Sequence, residues 1–232
     1  MSVFAIGDLH LPGHDQKPMD VFGSHWDRHF ETISENWRQK IGEDDVVLIP
    51  GDISWAMQLN EAKDDLEAIG RLPGSKLLLR GNHDYWWSSL SKLRAVLPEK
   101  MYVIQNDAMQ IGSHVFCGTR GWNFPTVQQP LNEQDEKIYQ RELMRLRMSL
   151  DQAKKLNGED ITVMLHFPPL FADGVGTAFT AILEEYQVQR VVYGHLHGAG
   201  IKIGFEGERE GIQYHLVSCD ALGFNPVQIM TE

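Results

Sequence analysis

Leu77-Leu78-Leu79-Arg80-Gly81-Asn82-His83-Asp84 joins an apolar run to a polar cluster with a single glycine between them. Three consecutive leucines predict a strand over 76–80 that is buried on both faces, because a half-exposed strand would alternate apolar and polar residues. Gly81 breaks the strand and leaves Asn82, His83 and Asp84 at its end. An asparagine amide offers a neutral oxygen to a hard cation, a histidine can ligate or shuttle a proton, and an aspartate can orient an imidazole. If one buried strand delivers such a cluster to a site, partner residues are expected just past other strands.

The same pattern recurs along the chain. Val3–Ile6 is closed by Gly7-Asp8-Leu9-His10, and Asp45–Ile49 runs through Pro50-Gly51 to Asp52. Ile161–Leu165 ends at His166, and Arg190–Tyr193 is closed by Gly194-His195-Leu196-His197. Helical patterns separate these runs. Trp26, Phe30, Ile33 and Trp37 mark a helix over 26–39 capped near Ser24 or His25, and Ala62, Leu66 and Ile69 mark one from Asn60-Glu61 to the Pro73-Gly74 break. Further helices are expected from Ser88 or Ser89 to Leu97, over 137–156 with Leu143, Leu146 and Leu150 inward, and over 177–186, with a loop from Gly121 to Glu136. Between Met101 and Arg120 short β-type runs, with Gly112-Ser113 as a hairpin turn, predict a second sheet. The tail runs at 213–218 and 227–230 are read as strands of that second sheet.

A chain of 232 residues that is 42% hydrophobic can bury a large core, and one α/β domain over 1–232 is expected. Cys117 and Cys219 are too few and too far apart for a disulfide scaffold, which fits a reducing cytoplasm. The first residues carry no signal-peptide pattern, and no stretch reaches the roughly 18 apolar residues of a membrane span. With 32 acidic against 21 basic residues the formal charge is −11, which argues against nucleic acid as a partner. A small phosphorylated substrate, nucleotides included, remains compatible because bound cations would supply local positive charge.

In α/β sheets, residues past the carboxyl ends of the strands converge on one crevice, so these strand ends predict one site. It gathers Asp8, His10, Asp52, Asn82, His83, His166, His195 and His197. This mixed oxygen and nitrogen set suits Mn, Fe or Zn better than Ca or Mg, and it holds too many donors for one tetrahedral ion. Two divalent ions sharing a carboxylate would use them all.

Gly7-Asp8-Leu9-His10, Gly51-Asp52, Gly81-Asn82-His83-Asp84, His166 and Gly194-His195-Leu196-His197 resemble, in order, the five motifs of the calcineurin-like metallophosphoesterases. The resemblance spans residues 7–197. It implies a four-layer α/β/β/α sandwich of two mixed β-sheets flanked by helices. It also implies a binuclear metal-dependent phosphohydrolase that cleaves a phosphomonoester or phosphodiester by attack of a metal-bridging hydroxide. One ion would be held by Asp8, His10, Asp52 and His197, the second by Asp52, Asn82, His166 and His195, with Asp52 as the bridge. His83 would be the catalytic proton donor to the leaving oxygen, with Asp84 beside it to orient its ring.

Other features carry less. His14, His25, His29, His114 and His215 read as surface or packing residues; Trp55, Trp86 and Trp87 as core; and Arg120 as a surface salt bridge sooner than a phosphate ligand. Gly51-Asp52 continues as Ile53-Ser54-Trp55-Ala56, without the phosphate-binding arginine of the protein serine/threonine phosphatases. The lipid A pathway hydrolases carry arginine where His83 stands, and no tyrosine matches the ligand of purple acid phosphatases. A nuclease and a non-catalytic metal-binding, protein-interaction scaffold of the same fold are the competing readings, and intact ligands favour catalysis.

Overall fold

In the computed structural model, residues 1–13, 19, 23–126, 129–158 and 160–231 are described. His14, read from the sequence as a surface or packing residue, lies outside the described residues.

The double-sided apolar runs become two sheets packed face to face. The first has the order β11 (Val227–Thr231), β1 (Ser2–Ala5), β2 (Val46–Pro50), β3 (Ser75–Leu79), β4 (Met101–Ile104). β1 to β4 run parallel and β11 pairs antiparallel with β1. The second has the order β5 (Ala108–Ile111), β6 (His114–Thr119), β7 (Asp160–Leu165), β8 (Arg190–Tyr193), β10 (Ile212–Leu216), β9 (Gly207–Arg209). There β6, β7, β8 and β10 are parallel, with β5 and β9 antiparallel at the edges.

Side-chain alternation sorts these strands into three cores, which makes the molecule a four-layer α/β/β/α sandwich. Val3, Ala5, Val46, Leu48, Leu77 and Leu79 point inward to meet Phe116, Met164 and Val192 of the second sheet. Phe4, Val47, Ile49 and Leu78 point outward, against helices α1 (His29–Lys40), α2 (Lys63–Gly70) and α3 (Leu90–Arg94) through Ile33, Trp37, Leu66, Ile69 and Leu93. On the far side Val115, Cys117, Val163 and Val191 meet Leu146 and Leu150 of α4 (Glu133–Ala153) and Phe179 and Leu183 of α5 (Ala178–Glu185). Full burial of each such side chain is worth about 1.5–3 kcal/mol, so the strands beneath the site are stiff supports.

Several expected elements shift. β4 and β11, read as strands of the second sheet, are edge strands of the first. The first helix starts at His29, because Arg28 takes a left-handed conformation (φ 52°) and confines Trp26 to a short 3-10 turn before it. α4 begins four residues earlier than its apolar spacing suggests. Asn132 caps it by accepting from the N–H groups of Gln134 and Asp135, and Glu133, Asp135 and Glu136 face the positive end of its dipole. No helix among the described residues is long and apolar enough to cross a membrane.

Candidate metal centre

All of the strand-end clusters lie at the carboxyl ends of parallel strands. Asp8 and His10 follow β1, Asp52 follows β2, Asn82 and His83 follow β3, His166 follows β7, and His195 and His197 follow β8. The two sheets are stitched together here, where the Gly7 N–H donates to the Val217 carbonyl (2.6 Å) and the Cys219 N–H to the Gly7 carbonyl (3.0 Å). Four of the seven expected ligands sit in the left-handed region: Asp8 (φ 57°), His10 (44°), Asp52 (52°) and His195 (73°). A non-glycine residue held there costs about 1–2 kcal/mol, and such strain concentrates where a fold aims side chains for function. Two glycines permit the close approach. A Cβ on Gly81 would stand 2.1 Å from Asp52 Oδ1, and one on Gly194 would stand 2.1 Å from Asp8 Oδ2.

The donor atoms fall into two groups around one carboxylate oxygen. In the first, His10 Nε2 and His197 Nε2 are 3.3 Å apart, with Asp8 Oδ1 3.5 Å from His197 Nε2. In the second, Asn82 Oδ1 lies 2.6 Å from His166 Nε2 and 3.0 Å from His195 Nδ1. Asp52 Oδ2 reaches both, at 3.9 Å from His10 Nε2 and 3.5 Å from His166 Nε2. Two donors each ~2.0–2.1 Å from one tetrahedral ion stand roughly 3.3 Å apart, so these spacings fit shared ions. Asp8, Asp52 and His166 also offer atoms within 4.8 Å of one another. The His166 nitrogen nearest Asp8 is Nδ1, however, and it donates to the Pro50 carbonyl at 3.0 Å. That proton leaves Nε2 as the lone pair, and Nε2 faces Asn82 and Asp52.

Electrostatics agree with a site made for cations. Burial lowers His10 and His195 to about 3, and it lowers His166 as well, so all three imidazoles are neutral donors. Burial, and then repulsion from Asp8, raises Asp52 to about 8. Burial alone would lower His197, but the Asp220 and Asp8 carboxylates outweigh it and raise it to about 10. A proton and a metal ion compete for the same Nε2 there.

Two supports escaped the sequence reading. Asp220 accepts from His197 Nδ1 at 2.8 Å, which fixes the tautomer with Nε2 toward Asp8 and His10. It lies just past β10, so extending the strand-end rule to the tail would have found it. Asp84 does not orient His83. Fully buried, its carboxylate accepts from the N–H groups of Gly81 (2.7 Å), Asp52 (2.9 Å), Ile53 (2.9 Å) and Ser54 (3.2 Å) and from the Trp86 indole (3.0 Å). It locks the loops after β2 and β3 together, and the His83 N–H in turn donates to Asp52 Oδ1 at 2.8 Å.

The cleft over these donors holds about 340 Å³ and is lined by Met19, Trp26, Trp55 and His83 besides ligands. The Trp55 ring stacks on His10 at 4.9 Å and meets His83 at 4.6 Å, so it belongs to the cleft wall, whereas Trp86 and Trp87 are core. His25 also lines the cleft. His29 packs beneath the first motif, with its ring nitrogens on the carbonyls of Trp26 and Leu9. His114 is buried, and His215 bonds Glu206. Arg120 lies elsewhere, over the Trp122 ring at 4.6 Å.

The model of the family described as calcineurin-like phosphoesterase matches residues 1–199. The Gene 66 protein of Mycobacterium phage D29 is 38% identical over 88 residues, 36% of this chain and 40% of that protein. The Gene 66 protein of Mycobacterium phage L5 is 35% identical over 82 residues, 33% of this chain and 37% of that protein. The matched stretch thus spans well under half the length of these relatives. Among solved structures, the phosphopantetheinyl hydrolase of Mycobacterium tuberculosis superposes over 100% of this chain and 96% of its own, with a TM-score of 0.61 at 13% identity. A protein of unknown function from Aquifex aeolicus covers 98% of this chain and 95% of its own, with a TM-score of 0.51 at 13% identity. Both share the fold.

Proposed function

The chain belongs to the calcineurin-like phosphoesterase family, hydrolases of phosphoester bonds, and we propose that it is a binuclear metal-dependent phosphohydrolase acting from a single domain over residues 1–232. The observation that carries this reading is Asp52 Oδ2, within 3.9 Å of His10 Nε2 on one side and 3.5 Å of His166 Nε2 on the other. Asp8, His10, Asp52 and His197 would hold one ion, and Asp52, Asn82, His166 and His195 the other. The donor set suits Mn, Fe or Zn. When bound, two such ions supply an acidified water as nucleophile and positive charge for the phosphoryl oxygens.

The chain's own residues do the rest. Asp84 and the His83 N–H hold Asp52 in place before substrate arrives. His83 faces the cleft with its ring against Trp55, outside both donor groups, and gives its proton to the leaving oxygen. Met19, Trp26 and Trp55 offer the leaving group an apolar, flat-sided wall, which favours a small organic phosphate ester. Among the described residues, those lining the cleft include no lysine or arginine to track a nucleic-acid backbone.

The test is reconstitution. Metal-free protein loaded with Mn hydrolyses an aryl phosphate monoester or diester, and Asp52→Asn abolishes the activity. Failure of the loaded protein on both probes would overturn the catalytic reading and favour the scaffold.

A further inference from the structure

A second recess opens at the same end of the fold, with a lining distinct from that of the cleft. It holds about 220 Å³ and is walled by Arg80, Arg120, Arg141 and Arg145, with Glu142 and Asn106. These arginines come from three elements: Arg80 follows β3, Arg120 follows β6, and Arg141 and Arg145 lie one turn apart on α4. Like charges at that helical spacing repel by about 0.2–0.5 kcal/mol, and the protein as a whole carries −11. Four guanidiniums converging here therefore need an explanation.

The protein itself neutralises little of this charge. Glu142 is fully buried, and its oxygens are taken by Arg145 (2.6 Å) and by the Thr119 hydroxyl (2.6 Å). Among the described residues no carboxylate forms an ion pair with Arg80, Arg120 or Arg141. Arg80 Nε is buried without a hydrogen-bond partner. The Arg120 guanidinium lies over the Trp122 ring, its Cζ 4.6 Å from the ring centroid, a cation–π contact that tethers its fork beside the recess. Burial, and also Arg80, Arg145 and Arg141, push Arg120 below its ordinary range against the pull of Glu142.

We propose that this recess is an anion site that takes a phosphate group distinct from the one held at the metal centre. Planar guanidinium forks match phosphate oxygens two at a time. The volume lies below the ~300–1,000 Å³ of pockets for drug-sized ligands, which suits a compact anion. The site borders the metal donors through the backbone. Arg80 lies two residues before Asn82, and the Arg120 carbonyl accepts from the N–H groups of His166 and Phe167, each at 3.0 Å. The anion is either free phosphate or a second phosphate on the substrate.

Titrating inorganic phosphate into metal-free protein, followed by calorimetry, tests the site without reference to catalysis. Binding is expected to weaken at least ~10-fold in R120Q/R141Q, the loss of charge-assisted hydrogen bonds. R141K should retain part of it, and K137Q, on the same helix outside the recess, should retain all of it. Because Arg141 is exposed on α4, R141Q alone keeps the test valid if the double variant fails to fold. Undiminished binding in the folded arginine variants, or equal weakening by K137Q, overturns the proposal. In the Mn enzyme, a higher KM in R141Q for an ester carrying a second phosphate, with the simple aryl ester unchanged, assigns the anion to the substrate. Loss of phosphate binding with both KM values unchanged assigns it to free phosphate.

Discussion

The first donor group, Asp8, His10 and His197, takes its charge from carboxylates, whereas the second, Asn82, His166 and His195, is built from neutral side chains. Each leans on a different kind of support. His197 Nδ1 is held by the Asp220 carboxylate, and His166 Nδ1 by the Pro50 carbonyl. Asp52 contributes to both, so the first place offers an ion two carboxylates and the second offers one. Attraction for a divalent cation scales with that charge, and a carboxylate behind a histidine also makes it the more basic ligand. On the proposed binuclear reading the two places are therefore unequal, and the second ion would be the first to leave on dialysis.

Short of removing the Asp52 bridge, the largest effect expected comes from a residue in neither group. His83→Ala should keep both ions and lose about 10²–10⁴-fold in turnover, the usual share of a general acid. The loss should be steeper for an alkyl phosphate than for nitrophenyl phosphate, whose leaving group needs less help. Equal losses on the two substrates would sink the proton-donor role, and loss of an ion would make His83 part of the comparison instead of its control.

Next come the groups themselves. Asp8→Asn should weaken the first ion, and Asn82→Ala the second, each by more than the ~10–100-fold typical of outer-shell changes. Metal counting after gel filtration should find one equivalent retained in each variant. If Asn82→Ala sheds both ions while Asp8→Asn sheds one, the ranking of the two places is reversed. Asp220→Asn should weaken the first ion alone, by about 10–100-fold, and leave a second-ion titration unchanged.

Most of this centre was legible because buried strands leave few places for polar residues. A carboxylate or imidazole just after Val3–Ile6 or Ile161–Leu165 stands out against its apolar neighbours, and parallel strands bring such ends together. What escaped was non-local or directional. Asp220 is 23 residues from His197, and only the parallel pairing of β10 with β8 brings its strand end to the site. Asp84 sits beside His83 in sequence, yet its carboxylate turns to the backbone of the loops after β2 and β3. β4 and β11 carry ordinary strand patterns, and nothing local tells an edge strand which of two sheets it joins. The start of α4 was hidden because its capping turn is polar and has no apolar period to read.

The supports beneath the two groups differ too, and here the smallest effect is expected. β1, under Asp8 and His10, is apolar through Val3, Phe4 and Ala5, but β3, under Asn82, carries Lys76 buried to 1% exposure. Its Nζ donates to the carbonyls of Gly70 (3.2 Å) and Leu72. Burial lowers its pKa from the usual 10.5 to about 8. Between those values the unfolded chain holds a proton that the folded chain has released, so this group makes stability rise with pH across that window. At neutral pH the cost of burying the charge is present in full, offset by the two carbonyl acceptors. Lys76→Met should therefore lie within about 1 kcal/mol of the parent at pH 7, since lost hydrogen bonds and relieved burial nearly cancel. Buried Cys117, Cys219 and Tyr193 have raised pKa values and make stability fall with alkalinity, so the measurement is the difference between the two urea curves at each pH. The parent should gain on the variant from pH 8 to 10. A flat difference would mean that Lys76 keeps its proton in the fold, and that β3 supports the second group as cleanly as β1 supports the first.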